Sequence, residues 1–163
     1  MLQVDQQYKG VMRLSKAWIG KQSKKVKNRV DRLLVKRFAE SIGDLHPFYI
    51  DEEFGKNSRY GRNIAPPTFP RTFEYGEIAG VDLPKKGLIH GEETYIYSRP
   101  LFVDEEIYCY ARIEEYYEKV GKNGGKMGFV IIKRFGEDAK GELIFTEIQN
   151  VIITEAVRKE MKV

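Results

Sequence analysis

Two short stretches concentrate the side chains able to move a proton. The first reads Gly43-Asp44-Leu45-His46-Pro47-Phe48-Tyr49-Ile50-Asp51, the second Ala65-Pro66-Pro67-Thr68-Phe69-Pro70. A carboxylate, an imidazole and a phenol so close together are the groups that general acid–base chemistry draws on. Asp44 follows Gly43, where turn backbone can hold a carboxylate; its plainer reading is the cap of that turn. Pro47 fixes its own φ and biases His46 away from the helical region, so a helix arriving at Gly43 cannot run on through the motif. His46 has two readings, a partner for Asp44 or a turn histidine bonded to local backbone, and the extended geometry before proline favours the second.

In the second stretch Pro66 and Pro67 pin a turn. Thr68 then offers a hydroxyl at a helix start whose first turn tolerates Pro70. Asp44 is thereby expected near the mouth of a new helix. His90 opens a strand pattern, either packed on a sheet or touching a bound substrate. Cys109 is the single cysteine and His46 and His90 the only histidines, which argues against a disulfide within the chain and against a metal site.

Those residues need a scaffold, and 163 residues, 42% of them hydrophobic and 32% charged, suffice for one globular domain with a real core. Ten Tyr and nine Phe against one Trp give core and pockets an aromatic character. No apolar run approaches the roughly 18 residues of a membrane span, and no apolar signal segment opens the sequence, so a cytoplasmic protein is the expectation. The net charge of +4 is uneven: residues 1–40 hold eleven Lys/Arg against three Asp/Glu, densest from Lys21 to Arg29. Lys24 and Lys25 are candidates to meet phosphates or an acidic partner, the plainer reading being a solvated strand face. No zinc-finger spacing, RNA-binding aromatic signature or basic zipper accompanies the patch, so nucleic acid is not an expected partner.

Residues 1–17 read as an N-terminal arm. Trp18-Ile19-Gly20 turns the chain into a polar strand over 21–30. Asp31 is a suitable N-cap for a helix over 32–42 that puts Leu34, Val35, Phe38, Ala39 and Ile42 on one face, with Gly43 stopping it. Residues 51–64 are too polar and glycine-dotted for more than a short helical turn, a loop length typical of the wall of a site. A helix is predicted over 68–79, with Gly80 closing it. From Leu88 the hydrophobic period changes to two, giving four long strands in meander order, a glycine hairpin at 121–125 and an exposed tail over 155–163. The sum is an α+β domain, a helix against an antiparallel sheet.

The block Gly43-Asp44-x-x-Pro47, Ala65-Pro66-Pro67-Thr68-Phe69-Pro70, Ile89-His90-Gly91-Glu92 and Tyr97-x-Arg99-Pro100 resembles the MaoC-like hydratases and dehydratases of the hot-dog fold, in particular the N-terminal or FAS1-like dehydratase type. The resemblance runs from about Trp18 to about Thr154. It implies a long central helix, here assigned to 68–79, wrapped by the sheet, and hot dogs paired as homodimer or heterodimer. It also implies reversible hydration of a trans-2-enoyl thioester, on coenzyme A or an acyl carrier protein, to the (R)-3-hydroxyacyl thioester, with no metal or further cofactor. The catalytic members carry Asp-x-Asn-Pro-x-His. Here Asp44 and Pro47 match, His46 stands for the Asn, and Tyr49 stands for the catalytic His. A phenol titrating near ~10 is a poor base for water at neutral pH, although it can donate a hydrogen bond. The resemblance therefore points to Asp44, Tyr49 and His46 for chemistry and to Pro66, Pro67, Thr68, Phe69, His90, Lys24 and Lys25 for the thioester. It points also to a second, catalytic MaoC-like subunit. A non-catalytic acyl-coenzyme A binder and a hot-dog thioesterase using Glu74 or Glu77 are the alternatives.

Overall fold

The computed structural model describes residues 16–84, 86–122 and 124–160; most of the predicted N-terminal arm lies outside them, as do residues 161–163. Five antiparallel strands make one sheet: β1 (Val26–Arg29), β2 (Leu88–Tyr97), β3 (Glu106–Val120), β4 (Lys126–Glu137) and β5 (Leu143–Ile153). Their spatial order is β1-β3-β4-β5-β2. The last three strands form a meander, but β2 does not join it at β3. It crosses to the far edge and pairs with β5, Tyr95 opposite Glu147. The predicted meander of four is corrected accordingly.

The long strands alternate as a half-buried sheet must. Ile107, Cys109, Ala111 and Ile113 of β3 face inward, as do Val130 and Ile132 of β4. Gly136 of β4 is required by close packing: a β-carbon there would lie 2.0 Å from the Phe145 ring. Two apolar clusters line the inner face. One gathers Phe69, Phe73, Leu101, Ile107 and Phe145; the other gathers Trp18, Ile113, Val130, Val151 and Ile153. Tyr75 packs against both.

The helix α1 (Arg32–Ser41) begins as predicted, Asp31 accepting from the Leu34 N–H at 2.9 Å. Its buried side is Val35 and Ala39, whereas Leu34 and Ile42 stay exposed. Two short helices follow, α2 (Pro47–Ile50) and α3 (Glu52–Asn57). The C-terminal residues are not simply an exposed tail: α4 (Glu155–Glu160) packs Val157 on the second cluster and ties Arg158 to Glu118.

The long helix predicted over 68–79 is absent. A 3-10 turn, Phe69–Thr72, ends at Phe73 in extended geometry, and the described residues from there to Leu88 form no helix or strand. The reason lies in where its backbone groups bond. Glu74 N–H donates to Asn28 Oδ1 at 2.8 Å, Glu74 C=O accepts from Asn28 Nδ2 at 2.9 Å, and Tyr75 C=O accepts from Ser23 Oγ. Those groups are used sideways, against the β1 segment, instead of along a helix axis. Gly76 then adopts φ +71, with its α-carbon so near Lys24 C=O that a β-carbon would sit 2.9 Å away. Glycine tolerates that conformation readily, and it ends any helical path.

Candidate active site

The first motif is built by turn chemistry. Where α1 ends, Gly43 takes φ +72 and the Asp44 N–H closes back on Ala39 C=O at 3.0 Å. Asp44 Oδ1 accepts from the His46 N–H at 3.3 Å, an Asx turn. His46 is the N-cap of α2: its Nδ1 accepts from the Phe48 N–H at 3.2 Å, with Pro47 at the first helical position. That bond fixes the tautomer with the proton on Nε2. The imidazole stacks on Phe48, centroids 5.2 Å apart, and meets Phe54 edge-on at 6.0 Å. His46 is thus bound to local backbone, and its link to Asp44 runs through the main chain.

Asp44 itself is exposed, as are its neighbours Ile42 and Leu45. Tyr49 is half-buried beside it. Burial, and next the Asp44 carboxylate, push the Tyr49 phenol above its ordinary value. At neutral pH it can therefore donate a hydrogen bond but does not take a proton.

Tyr49 forms one wall of a cleft of about 370 Å³ completed by Ile64, Pro67, Tyr97, Arg99 and Leu101. Arg99 is held rigidly by two bonds to Glu105, at 3.0 and 2.9 Å, and its guanidinium lies 5.1 Å over the Phe102 ring. The Tyr97 hydroxyl donates to Pro67 C=O at 2.7 Å, pinning the double-proline turn to β2. Asn63, buried at 3% exposure, clasps the α2–α3 segment through Nδ2 bonds to Phe48 C=O (2.9 Å) and Asp51 C=O (2.7 Å), while its Oδ1 accepts from Arg32. Gly55 passes against it so closely that a β-carbon would lie 2.7 Å away. Asn63 was not singled out from the sequence; its only signal is a polar residue two positions before the buried Ala65-Pro66 pair.

The predicted thioester contacts divide. Pro67 lines the cleft. Pro66 is fully buried, and Phe69, at 0% exposure, is a core residue set edge-on between Phe38 and Phe73. Thr68 is exposed and caps nothing with its side chain. His90 lies elsewhere on β2, bonded through Nδ1 to Gln149 at 3.0 Å, in a second hollow of about 570 Å³ that shares no lining residue with the first. Lys25 is committed to an ion pair with Glu137 and sits 5.4 Å over the Tyr110 ring. Lys27 and Arg29 likewise pair with Glu106 and Asp104. Lys24 stays exposed on the same segment. The basic strand is thus largely neutralised by acidic groups of the β3 and β4 region. Glu74 and Glu77 lie exposed in the irregular segment instead of on a helix, which removes the geometry a thioesterase would need. No helix among the described residues is long and apolar enough to cross a membrane.

Comparison with known proteins places this geometry among others. The family described as "FAS1-like, dehydratase domain region" matches residues 17–147. A protein of Streptomyces griseus named only "UPF0336 protein" is 30% identical over 135 residues, covering 78% of this chain and 85% of its own. The C-terminally truncated HadBC (3R-hydroxyacyl-ACP dehydratase) complex of Mycobacterium tuberculosis superposes with a TM-score of 0.67 at 16% identity, over 86% of this chain and 100% of that one. The (R)-hydratase of A. caviae involved in PHA biosynthesis gives 0.61 at 20% identity, over 82% and 94%. At such identities the two structures speak for the shared hot-dog fold. Relative to that fold's expected plan, the sheet is present and the long helix is not.

Proposed function

Since the chain belongs to the FAS1-like dehydratase family, we propose that it is the substrate-binding subunit of a two-component (R)-specific enoyl-thioester hydratase/3-hydroxyacyl-thioester dehydratase. One observation carries the reading: beside an intact cleft, the position that should hold a base holds a phenol kept protonated by burial and by Asp44. Adding water to an enoyl thioester needs a group that takes a proton from water as oxygen attacks C3, and a source that delivers a proton to C2. Tyr49 can polarise or orient through its O–H but has no basicity to lend, and the His46 ring nitrogen facing the chain is already committed to Phe48. The base has to arrive from another chain.

The surroundings support such a partner. Ile42, Leu45, Ile50 and Phe54 expose between 38% and 55% of their area around Asp44, an apolar rim that a second subunit would cover. On the opposite side of the sheet order, β2 leaves ten residues of unpaired edge, which a strand of another hot dog can extend. The HadBC comparison is itself a complex of two named components.

The thioester would enter the cleft between Tyr49 and the Pro67–Tyr97 wall, with coenzyme A or an acyl carrier protein as the carrier. Its acyl tail would extend along the inner face of the sheet, in the space the missing helix leaves open. The test is hydration of crotonyl-coenzyme A by the isolated chain and by the chain mixed with a MaoC-like partner that carries the complete Asp-x-Asn-Pro-x-His motif. Turnover is expected only in the mixture. High activity of the chain alone, abolished by Asp44→Asn, overturns the two-component reading in favour of a self-sufficient enzyme. Calorimetric thioester binding without turnover in any mixture would make it a non-catalytic acyl-thioester binder.

A further inference from the structure

The buried polar row of the inner face answers its own charges: Arg134 bonds Glu147 at 2.5 Å and Arg71 bonds Glu93 at 3.0 Å. The basic strand β1 does the same through Glu106 and Asp104. Two arginines do not. Arg59 and Arg62 are exposed, and among the described residues neither has a carboxylate partner. Both belong to the loop over 58–64 that leads from α3 into the cleft.

Ser58 organises that loop. Its C=O accepts from the Gly61 N–H at 3.0 Å and its Oγ from the Tyr60 N–H at 3.2 Å, with Gly61 at φ +66. Ile64 then bridges Phe102 in antiparallel register, flanked by bonds from the Val103 N–H to Asn63 C=O and from the Ala65 N–H to Leu101 C=O. Ile64 and Leu101 are walls of the cleft, so Arg62 and Phe102 stand at its rim. Each guanidinium is laid on a ring. Arg59 sits 4.8 Å over Tyr60 and donates to its hydroxyl; Arg62 sits 5.0 Å over Phe102 and donates to Val103 C=O at 2.6 Å. The two rings are neighbours, centroids 6.0 Å apart.

A stacked guanidinium has given up rotamer freedom before any ligand arrives, and one bond leaves most of its donors to spare. Such a planar fork matches the oxygens of a phosphate. Two of them at the mouth of a thioester cleft are placed for the anionic end of the carrier, which stays outside while the acyl group enters. The surrounding charges decide which carrier. Asp51, Glu52 and Glu53 lie exposed on the same segment, a few residues before the arginines. The acidic face of a carrier protein is broad enough to meet those carboxylates as well, and like charges across an interface are costly. The phosphates of a nucleotide need only the two guanidiniums.

Building on the thioester reading above, we infer that coenzyme A is the carrier this chain recognises, and that Arg59 and Arg62 hold its nucleotide phosphates at the rim of the cleft. Lys24 and Lys25, on the largely neutralised basic strand, take no part.

The experiment is calorimetric titration of the full chain with crotonyl-coenzyme A, with crotonyl-pantetheine, which lacks the nucleotide, and with adenosine 3′,5′-bisphosphate, which lacks the thioester. Crotonyl-coenzyme A is expected to bind about a hundredfold more tightly than crotonyl-pantetheine, about tenfold for each arginine. The ratio of the two is the readout, because a variant that merely folds less well weakens both alike. Arg59→Gln, which gives up one bond to the adjacent Tyr60, should cut the ratio about tenfold, and Arg59→Gln with Arg62→Gln should bring it near one. A ratio already near one in the wild type, or unchanged in the double variant, overturns the inference and leaves the cleft standing. Tighter binding of crotonyl-acyl carrier protein than of crotonyl-coenzyme A overturns it in favour of a protein carrier. If crotonyl-coenzyme A binds no better than the bisphosphate and crotonyl-pantetheine does not bind, the phosphate site stands and the thioester cleft falls. Failure of every ligand to bind rejects both.

Discussion

The cleft at Tyr49 and the polar row at Glu147 hold ionisable groups by opposite means. Around Asp44, His46 and Tyr49 the backbone is set locally by a glycine, an Asx turn and a histidine N-cap, and only the cleft walls are pinned from farther off, by Asn63 and Tyr97. The groups around Asp44 stay near solvent, and burial raises the phenols of Tyr49 and, more strongly, of Tyr97. At Glu147 nothing is local. Arg134, Glu147, Tyr95 and Arg71 meet only through strand register and a returning turn. Burial and the neighbouring Glu93 carboxylate push Glu147 up to about 7. The first arrangement is cheap to build and easy to vary. The second is held by long-range register, and it carries a desolvation cost.

The largest expected effect probes the local side. Tyr49→His returns a base to the cleft. If the scaffold is otherwise competent, the isolated chain should gain hydration of crotonyl-coenzyme A by about a hundredfold over its own background, the lower range for a positioned general base. No gain would mean that the Asp44 turn is set for something other than water activation. Next comes a substitution on the sheet side. Gly136→Ala would drive a methyl into Phe145, a ring at 1% exposure with no room to retreat. Chemical denaturation should show a loss of about 2–3 kcal/mol, and a loss below 1 kcal/mol would show that the inner face is looser than this register implies.

The same contrast explains what was legible in the sequence. Asp31, Gly43, Pro47 and the glycine hairpin act on their neighbours in the chain, so α1, the Asp44 turn and the strand sequence could be read directly. Tyr97 and Arg99 were visible only as part of a family pattern. The helix over 68–79 was misread because its composition permits one, while the bonds that prevent it come from Asn28 and Ser23, some fifty residues away. Register hid the rest. Glu147 and Arg134 look like solvent-facing residues in an alternating strand until β2 is known to cross to the far edge. Lys25 looked free until Glu137 was found beside it.

The pH dependence of stability isolates the buried row. Because Glu147 titrates higher in the folded chain than unfolded, the folded state retains a proton that the unfolded state has released. Stability should therefore fall as pH rises from about 5 to about 7. Glu93, whose carboxyl is lowered against the cost of its burial by a hydrogen bond from Glu147 and next by Arg71, acts below that window and in the opposite sense: its contribution is lost as pH falls. Denaturant midpoints between pH 5 and 7 should show a decline of about 2 kcal/mol in the wild-type chain, flattened in Glu147→Gln. A wild-type profile already flat in that range would mean that the carboxylate is better solvated than its 0% exposure indicates.

The smallest effect returns to the local side and asks whether its caps all matter. Asp51 accepts from the Phe54 N–H at 3.0 Å, an N-cap for α3 on the segment that Asn63 clasps. Thr68 occupies the equivalent place before the 3-10 turn but makes no such bond. Asp51→Ala should cost about 1 kcal/mol, whereas Thr68→Ala should fall within about 0.5 kcal/mol of the wild type. Binding should divide along a different line. Thr68 is exposed beside Pro67, a wall of the cleft, so a weakened thioester affinity in Thr68→Ala with unchanged stability would identify its hydroxyl as a substrate contact. If Asp51→Ala weakens binding as well, the α2–α3 segment is a working wall of the cleft and its capping has consequences beyond stability.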